Sequence, residues 1–175
     1  YAVAVGEHGK RIDLTGNISG NRVMLELDDD RYTLYFFVIT PHAMGERMDS
    51  YTNLLVKESV HILLEAVYEP HYARYKKDFG GVFAGFFSDE SSFTSDWRYD
   101  QILGTGGPLP WSIYFIGQFS EKLGRDAVLS LPDLFADIDE NTMPVRYAYM
   151  DLISELYQEN MSRQVGDWCA QHGVE

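Results

Sequence analysis

Over the first forty residues apolar and polar positions change in short steps. Tyr1–Val5 is an apolar run of strand length, Glu7–Lys10 is a polar turn, and Arg11–Leu14 can return. Asn17–Asn21 is a second turn. Beyond it Val23, Leu25 and Leu27 alternate with Arg22, Met24 and Glu26. Asp28-Asp29-Asp30 turns the chain again into the β-prone stretch Tyr32–Thr40. Short turns between alternating runs predict hairpins, hence a small antiparallel sheet.

After residue 50 the period changes. Leu54, Val60, Leu63, Leu64, Val67, Tyr68, Tyr72, Tyr75 and Phe79 recur mostly at three- and four-residue spacing, which predicts a helix over residues 51–79, with Asp49 or Ser50 as its cap. Pro70 should kink or divide it, and Gly80-Gly81 should end it. Residues 82–87 are apolar at nearly every position, as a buried parallel strand would be. The stretch from Ser88 to Gly107 reads as a long loop. Pro110 can open a short helix with Trp111, Tyr114, Phe115 and Phe119 inward, stopped by Gly124. Residues 126–135 suit a short helical or 3₁₀ piece interrupted by Pro132. Val145, Tyr149, Leu152, Leu156, Val165, Trp168 and Cys169 define one face of a last helix over residues 143–172, with Asn160 a polar break in the row. A β module followed by helix, strand, loop and helices is a slice of an α/β fold.

Composition narrows the function classes. The chain has 175 residues, 45% of them hydrophobic, enough for a sizeable core. It is shorter than the roughly 200 residues that a complete (β/α)8 barrel needs. A net charge of −13 leaves no basic face for nucleic acid and disfavours anionic membranes. The single cysteine, Cys169, rules out an internal disulfide and a Cys-rich zinc site. No apolar run approaches the roughly 18 residues of a membrane span, and no signal peptide opens the chain. Tyr1, standing where an initiator Met would be, is read as a mark of excision from a longer protein. Bacterial cytoplasm, periplasm and exterior all stay open as locations.

The candidate chemistry sits at the end of the 82–87 run, where Asp89 and Glu90 follow Phe86, Phe87 and Ser88. Reacting groups of parallel α/β folds cluster at the carboxyl ends of strands. A carboxylic acid there could protonate a departing glycosidic oxygen, with Phe86 and Phe87 as apolar walls that raise its pKa. Adjacent strand residues point to opposite sides, so a second carboxylate must come from elsewhere. The competing reading is a solvated strand end. Trp111 could stack on a sugar face or simply start a helix, and His42, in a loop past a strand, could line a site. Asp137–Thr142 resembles a calcium loop faintly but lacks Gly at its sixth position and Glu at its twelfth, so it reads as an acidic helix entry. The five histidines have no metal-ligand spacing, and no phosphate loop or nucleophile elbow occurs.

Several segments together resemble the bacterial alpha-L-rhamnosidase-like enzymes of glycoside hydrolase family 106. They are Asp49-Ser-Tyr-Thr-Asn53, Tyr68-Glu-Pro-His-Tyr72, Phe79-Gly80, Phe86-Phe87-Ser88-Asp89-Glu90, Pro110-Trp111-Ser112, Gly124-Arg-Asp126, Leu131-Pro132-Asp-Leu-Phe135, Arg146-Tyr147 and Trp168-Cys169-Ala-Gln-His172-Gly173. Ser88 and Ser91 depart from the family's Thr and Pro.

The resemblance implies an α/β fold in which residues 45–175 form a partial (β/α)8-type barrel segment with long helices, preceded by a small antiparallel β module over residues 1–44. It implies Glu90 as general acid, Asp89 as a neighbour of unassigned role, and Asp49 and Trp111 as substrate-binding candidates beside His42. The metal ligands stay unknown, although a calcium ion would belong to the full-length enzyme. The base would lie beyond Glu175, so the partners would be a carbohydrate and the remainder of the polypeptide, and this chain alone would be inactive. Exposed helix faces could also pair two copies. The alternatives are another barrel-type glycosidase, such as a beta-galactosidase-like enzyme, and a non-catalytic carbohydrate-binding or structural module.

Overall fold

The computed structural model describes residues 1–26, 28, 31–40, 52–89, 103–104 and 107–175. The chain divides into two compact units. One holds Tyr1–Pro41 and Trp97–Leu152, and the other holds His42–Asp96 and Ile153–Glu175.

In the first unit, strand β1 (Ala2–Gly6) is the centre of a three-stranded antiparallel sheet, between β2 (Arg11–Asp13) and a strand at Tyr32–Phe36. The predicted hairpin from β1 to β2 is present, and Gly9 takes φ 77° in its turn. The strands that follow do not extend this sheet in sequence order. β3 (Ile18–Ser19) and β4 (Arg22–Val23) form a separate two-residue ladder, and β5, the Tyr32–Phe36 strand, returns to β1 with Val3 opposite Tyr35. The reason lies in β1 itself. Ala2 and Ala4 pack on Leu14, while Val3 and Val5 pack on Val128, so both of its faces are buried. A strand apolar on both sides takes the centre of a sheet.

The helical half of this unit follows the predicted pattern with later starts. α3 (Phe115–Leu123) begins five residues after Pro110 and ends at Gly124, which holds φ 64°. Its Phe115 and Phe119 pack on Tyr149, with ring centroids 5.3 and 6.0 Å away, and the Tyr149 hydroxyl donates to the Pro110 carbonyl at 2.8 Å. Pro132 does not interrupt anything. It sits in the first turn of α4 (Leu131–Phe135), where a missing N–H costs nothing.

An ion network ties β2 to α4 and to the start of α5 (Thr142–Tyr157). The Arg11 guanidinium grips both carboxylate oxygens of Asp133, and it donates to Asp139 at 2.7 Å and to the Leu129 carbonyl at 2.9 Å. Asp133 is 0% exposed and also accepts from the Thr142 hydroxyl at 2.9 Å. Arg146 donates to the Asp133 carbonyl and pairs with Asp137, both at 2.8 Å. The acidic stretch 137–140 is thus a helix entry with two of its carboxylates held by arginines.

Burial alone would raise the Asp139 carboxyl, but the Asn141 N–H and the Arg11 guanidinium outweigh it and hold it below its ordinary 3.8. The unfolded chain therefore binds this proton more readily. The contribution is complete above the ordinary value and is lost as pH falls through the lower folded one. Wild type should exceed Asp139→Asn in denaturant midpoint at neutral pH and converge with it below about pH 4. A gap that persists in acid would overturn this assignment.

In the second unit, α1 (Lys57–Leu63), a π-helical segment (Leu64–Tyr68) and α2 (Glu69–Tyr75) follow without interruption. Pro70 neither breaks nor divides this helix. The wider π turn just before it absorbs the missing N–H and the ring's bulk. The helix starts later than residue 51, after a turn in which Leu55 N–H donates to the Asn53 side chain at 3.1 Å. The expected caps Asp49 and Ser50 lie outside the described residues. α5 leads through a π-helical segment (Gln158–Arg163) into α6 (Gln164–Gln171). Asn160, the polar break, is 9% exposed and donates to the Leu55 carbonyl at 2.8 Å. It satisfies a buried backbone acceptor that an apolar residue would leave bare.

The expected barrel segment is not present. The two sheets are small and antiparallel, and among the described residues no succession of parallel strands alternates with helices. Residues 82–87 form no regular strand: Val82 lies in a turn, and Phe83 makes an isolated parallel bridge with Phe79. Val82 is 93% and Phe87 89% exposed, so the run is not buried on both faces. Its inward residues, Phe83 and Phe86, join Tyr68, Tyr72, Phe79 and Trp168 in an aromatic cluster that is the core of this unit. Among the described residues no helix is long and apolar enough to cross a membrane.

Candidate functional site

The segment that carries Asp89 is held at two levels. Gly80, at φ 72°, turns the chain out of the helix region, and Phe83 stacks on Phe79 with centroids 4.5 Å apart. Phe86 lies against Tyr68 at 4.1 Å and edge-on to Trp168 at 5.8 Å. The Trp168 indole N–H donates to the Glu69 carboxylate at 2.7 Å, which fixes the ring at the centre of the cluster.

The backbone supplies the second level. Glu175 N–H donates to the Ala84 carbonyl at 2.9 Å, and Phe86 N–H donates to the Glu175 carbonyl at 2.8 Å. Two bonds that bracket Gly85 in this way are one step of a parallel ladder. Beyond Phe86 the chain runs through Phe87 and Ser88 to an exposed Asp89.

A pocket of about 390 Å³ borders this segment. Tyr68, Phe86, Ser88 and Glu175 line it from one side, and Tyr157, Met161, Gly166 and Cys169 from the helices. Its volume falls in the range of small-ligand sites. Cys169 is buried, and that burial pushes its thiol pKa up, so the sulfur is protonated at neutral pH and is a poor nucleophile. Burial, with a smaller contribution from Cys169, likewise raises the Tyr68 hydroxyl and keeps it neutral. The chemistry available beside this pocket is therefore that of carboxyl groups and neutral hydrogen-bonding groups.

The sequence candidates separate on the structure. Asp89 is in the second unit, next to the pocket-lining Ser88. Glu90, Asp49 and His42 lie outside the described residues. Phe87, expected as an apolar wall, is 89% exposed, while its neighbour Phe86 packs on the cluster. Trp111 belongs to the first unit. It packs on Phe115 at 4.5 Å and lines a second pocket, of about 380 Å³, with Tyr35, Phe37 and Phe135. Trp111 therefore precedes α3 rather than starting it, packs against its Phe115 and lines that pocket.

Sequence reasoning missed Tyr68, Ser88 and Cys169 as pocket residues and missed the close approach at Gly85. An isolated glycine in an apolar run was the available signal for that approach. Among the described residues no group of three or more His, Cys, Asp or Glu side chains could hold a metal ion. Comparison with family models, with curated proteins and with solved structures finds no match to this chain.

Proposed function

We propose that this chain is the acid-bearing part of a glycoside hydrolase that cleaves terminal alpha-L-rhamnosyl or related bonds with inversion. The observation that carries the proposal is the tethered segment 83–89. It leads through Ser88, which lines a pocket of about 390 Å³, to an exposed Asp89, and in the sequence Glu90 is the next residue. The family-like order of motifs along the sequence supports the same reading.

In this reading the Glu90 carboxyl gives its proton to the glycosidic oxygen as the bond from that oxygen to the anomeric carbon breaks. Water attacks the opposite face of the sugar, its oxygen bonding to the anomeric carbon. A second carboxylate, from elsewhere in the protein, takes the water's proton. Asp89, exposed and one residue away, is available to bind a sugar hydroxyl. No step here depends on calcium.

The test is a panel of aryl glycosides offered to the whole protein that carries this sequence. Release of phenol from an aryl alpha-L-rhamnoside, above that from the corresponding beta-galactoside, is the expected result. Preference for the galactoside would replace the sugar assignment. Turnover of no glycoside, together with binding of free sugar, would replace the enzyme by a carbohydrate-binding module.

A further inference from the structure

We infer that the outer edge of β5 is an interface at which a second copy of this chain adds its own β5, antiparallel, about a two-fold axis at Tyr35. The hydrogen-bond phase of the sheet carries the argument. The Tyr1 nitrogen donates to the Phe37 carbonyl at 3.0 Å, Phe37 N–H donates to the Tyr1 carbonyl at 2.9 Å, and Glu7 N–H donates to the Arg31 carbonyl at 3.2 Å. Bonded and non-bonded pairs alternate along an antiparallel ladder. The bonded pairs between these two are therefore Val3 with Tyr35 and Val5 with Thr33. Leu34 and Phe36, opposite Ala4 and Ala2, turn their N–H and C=O groups away from β1. β5 is the last strand on that side of the sheet, so among the described residues no strand answers them.

The same two residues carry exposed apolar side chains, Leu34 at 47% and Phe36 at 58%. An edge left open in this way is a template for further pairing, and proteins blunt such edges with charge, proline or brevity. β2, the opposite edge, is three residues long and carries Arg11 and Asp13. β5 has no such device, because Tyr32–Thr40 contains no charged residue and no proline. That neutrality selects the occupant. A charged peptide would find no counter-ion along this edge, since Asp28, beside Tyr32, is already engaged by Lys10 at 2.5 Å and by the Tyr32 hydroxyl at 2.7 Å. Two copies that each carry a net charge of −13 meet least repulsion where the charge is absent. The edge is also its own complement. With the axis at Tyr35, Leu34 stands opposite the partner's Phe36, and Phe36 opposite the partner's Leu34. Each of these pairs exchanges two backbone bonds and sets apolar on apolar. The contact is isologous and closes on itself, which joins the two three-stranded sheets into one.

The test is sedimentation velocity of the whole protein that carries this sequence, with hydrogen exchange followed at low and high concentration. So small a contact predicts a weak dimer whose population rises with concentration. In the dimer the peptide over residues 32–37 should gain protection. Phe36→Lys should raise the dissociation constant at least about tenfold by charging the edge. It does so even though it lowers the net negative charge that keeps copies apart. Leu34→Pro removes an N–H that β1 does not use, so it should keep the fold, checked by circular dichroism. It should weaken the dimer by at least about the same factor, because the lost N–H is one that the partner's strand needs.

A monomer at every concentration overturns the inference. So does a dimer that survives Leu34→Pro, because its copies are then held by some other surface. Loss of the dimer in Phe36→Lys alone would mean an apolar contact without strand pairing, which overturns it equally. If either variant fails to fold, wild-type exchange decides. Protection at residues 32–37 that grows with concentration supports the inference, and its absence in a dimer, or binding there of a different protein in place of a second copy, overturns it.

Discussion

Asp133→Ala is expected to lower the stability of the first unit by about 3–5 kcal/mol, the usual cost of removing one partner of a buried ion pair. Asp133 is fully buried and answers the Arg11 guanidinium with both carboxylate oxygens. Without it, Arg11 keeps Asp139 and the Leu129 carbonyl, but the two donors that faced Asp133 lose the buried carboxylate that answered them. The Thr142 hydroxyl loses its acceptor at the same stroke. Such a loss is a large share of the roughly 5–15 kcal/mol that holds a domain together.

Urea unfolding would show the effect as a lower midpoint at unchanged slope. The double variant Arg11→Met with Asp133→Leu should recover part of the loss, because removing both charges also removes their desolvation cost. A loss below about 1 kcal/mol for Asp133→Ala would place the network among surface-like pairs and refute its structural role.

The second large effect is chemical. Glu90→Gln in the whole protein should reduce turnover of alkyl rhamnosides by about a hundredfold to ten-thousandfold, the range of general-acid contributions. Glutamine keeps the size of the side chain and removes the transferable proton. A dinitrophenyl substrate needs little protonation and should retain most of its rate. The alkaline limb of the pH profile, which reports deprotonation of the acid, should disappear for the variant. Unchanged alkyl turnover would remove Glu90 from the mechanism and leave Asp89 as the carboxyl to examine.

Much of the local structure was legible from residue order. The long last helix was predicted at 143–172 and runs, with its π segment, from Thr142 to Gln171. Gly124 ends α3 and Gly80 turns the chain, both at positive φ, for the steric reason that sequence reading assigns to glycine. The first strand and its hairpin also agree with the pattern. These features depend on neighbours a few residues apart, which periodicity and turn chemistry record.

What failed depends on contacts distant in the chain. The β5 strand bypasses β4 to reach β1, because a strand buried on both faces requires a neighbour on each edge, and no local pattern names that neighbour. The same apolar run at 82–87 that suggested a barrel strand has two residues in the core and two in solvent. Strand-like composition cannot distinguish a sheet interior from a segment resting on an aromatic cluster. The polar residues tell the same story. Asp133, which periodicity does not single out, is a buried anion, and Asn160, a polar break in an apolar face, satisfies a buried carbonyl.

By itself the sequence determined where helices run, where glycines turn the chain, and which carboxylates end the apolar run at Phe87. The tertiary structure alone decided that Gly85 meets the Glu175 backbone and that Arg11 meets Asp133. Such meetings join positions 90 and 122 residues apart. Their cost and gain arise from steric exclusion and desolvation at the point of contact, and neither leaves a local trace in residue order.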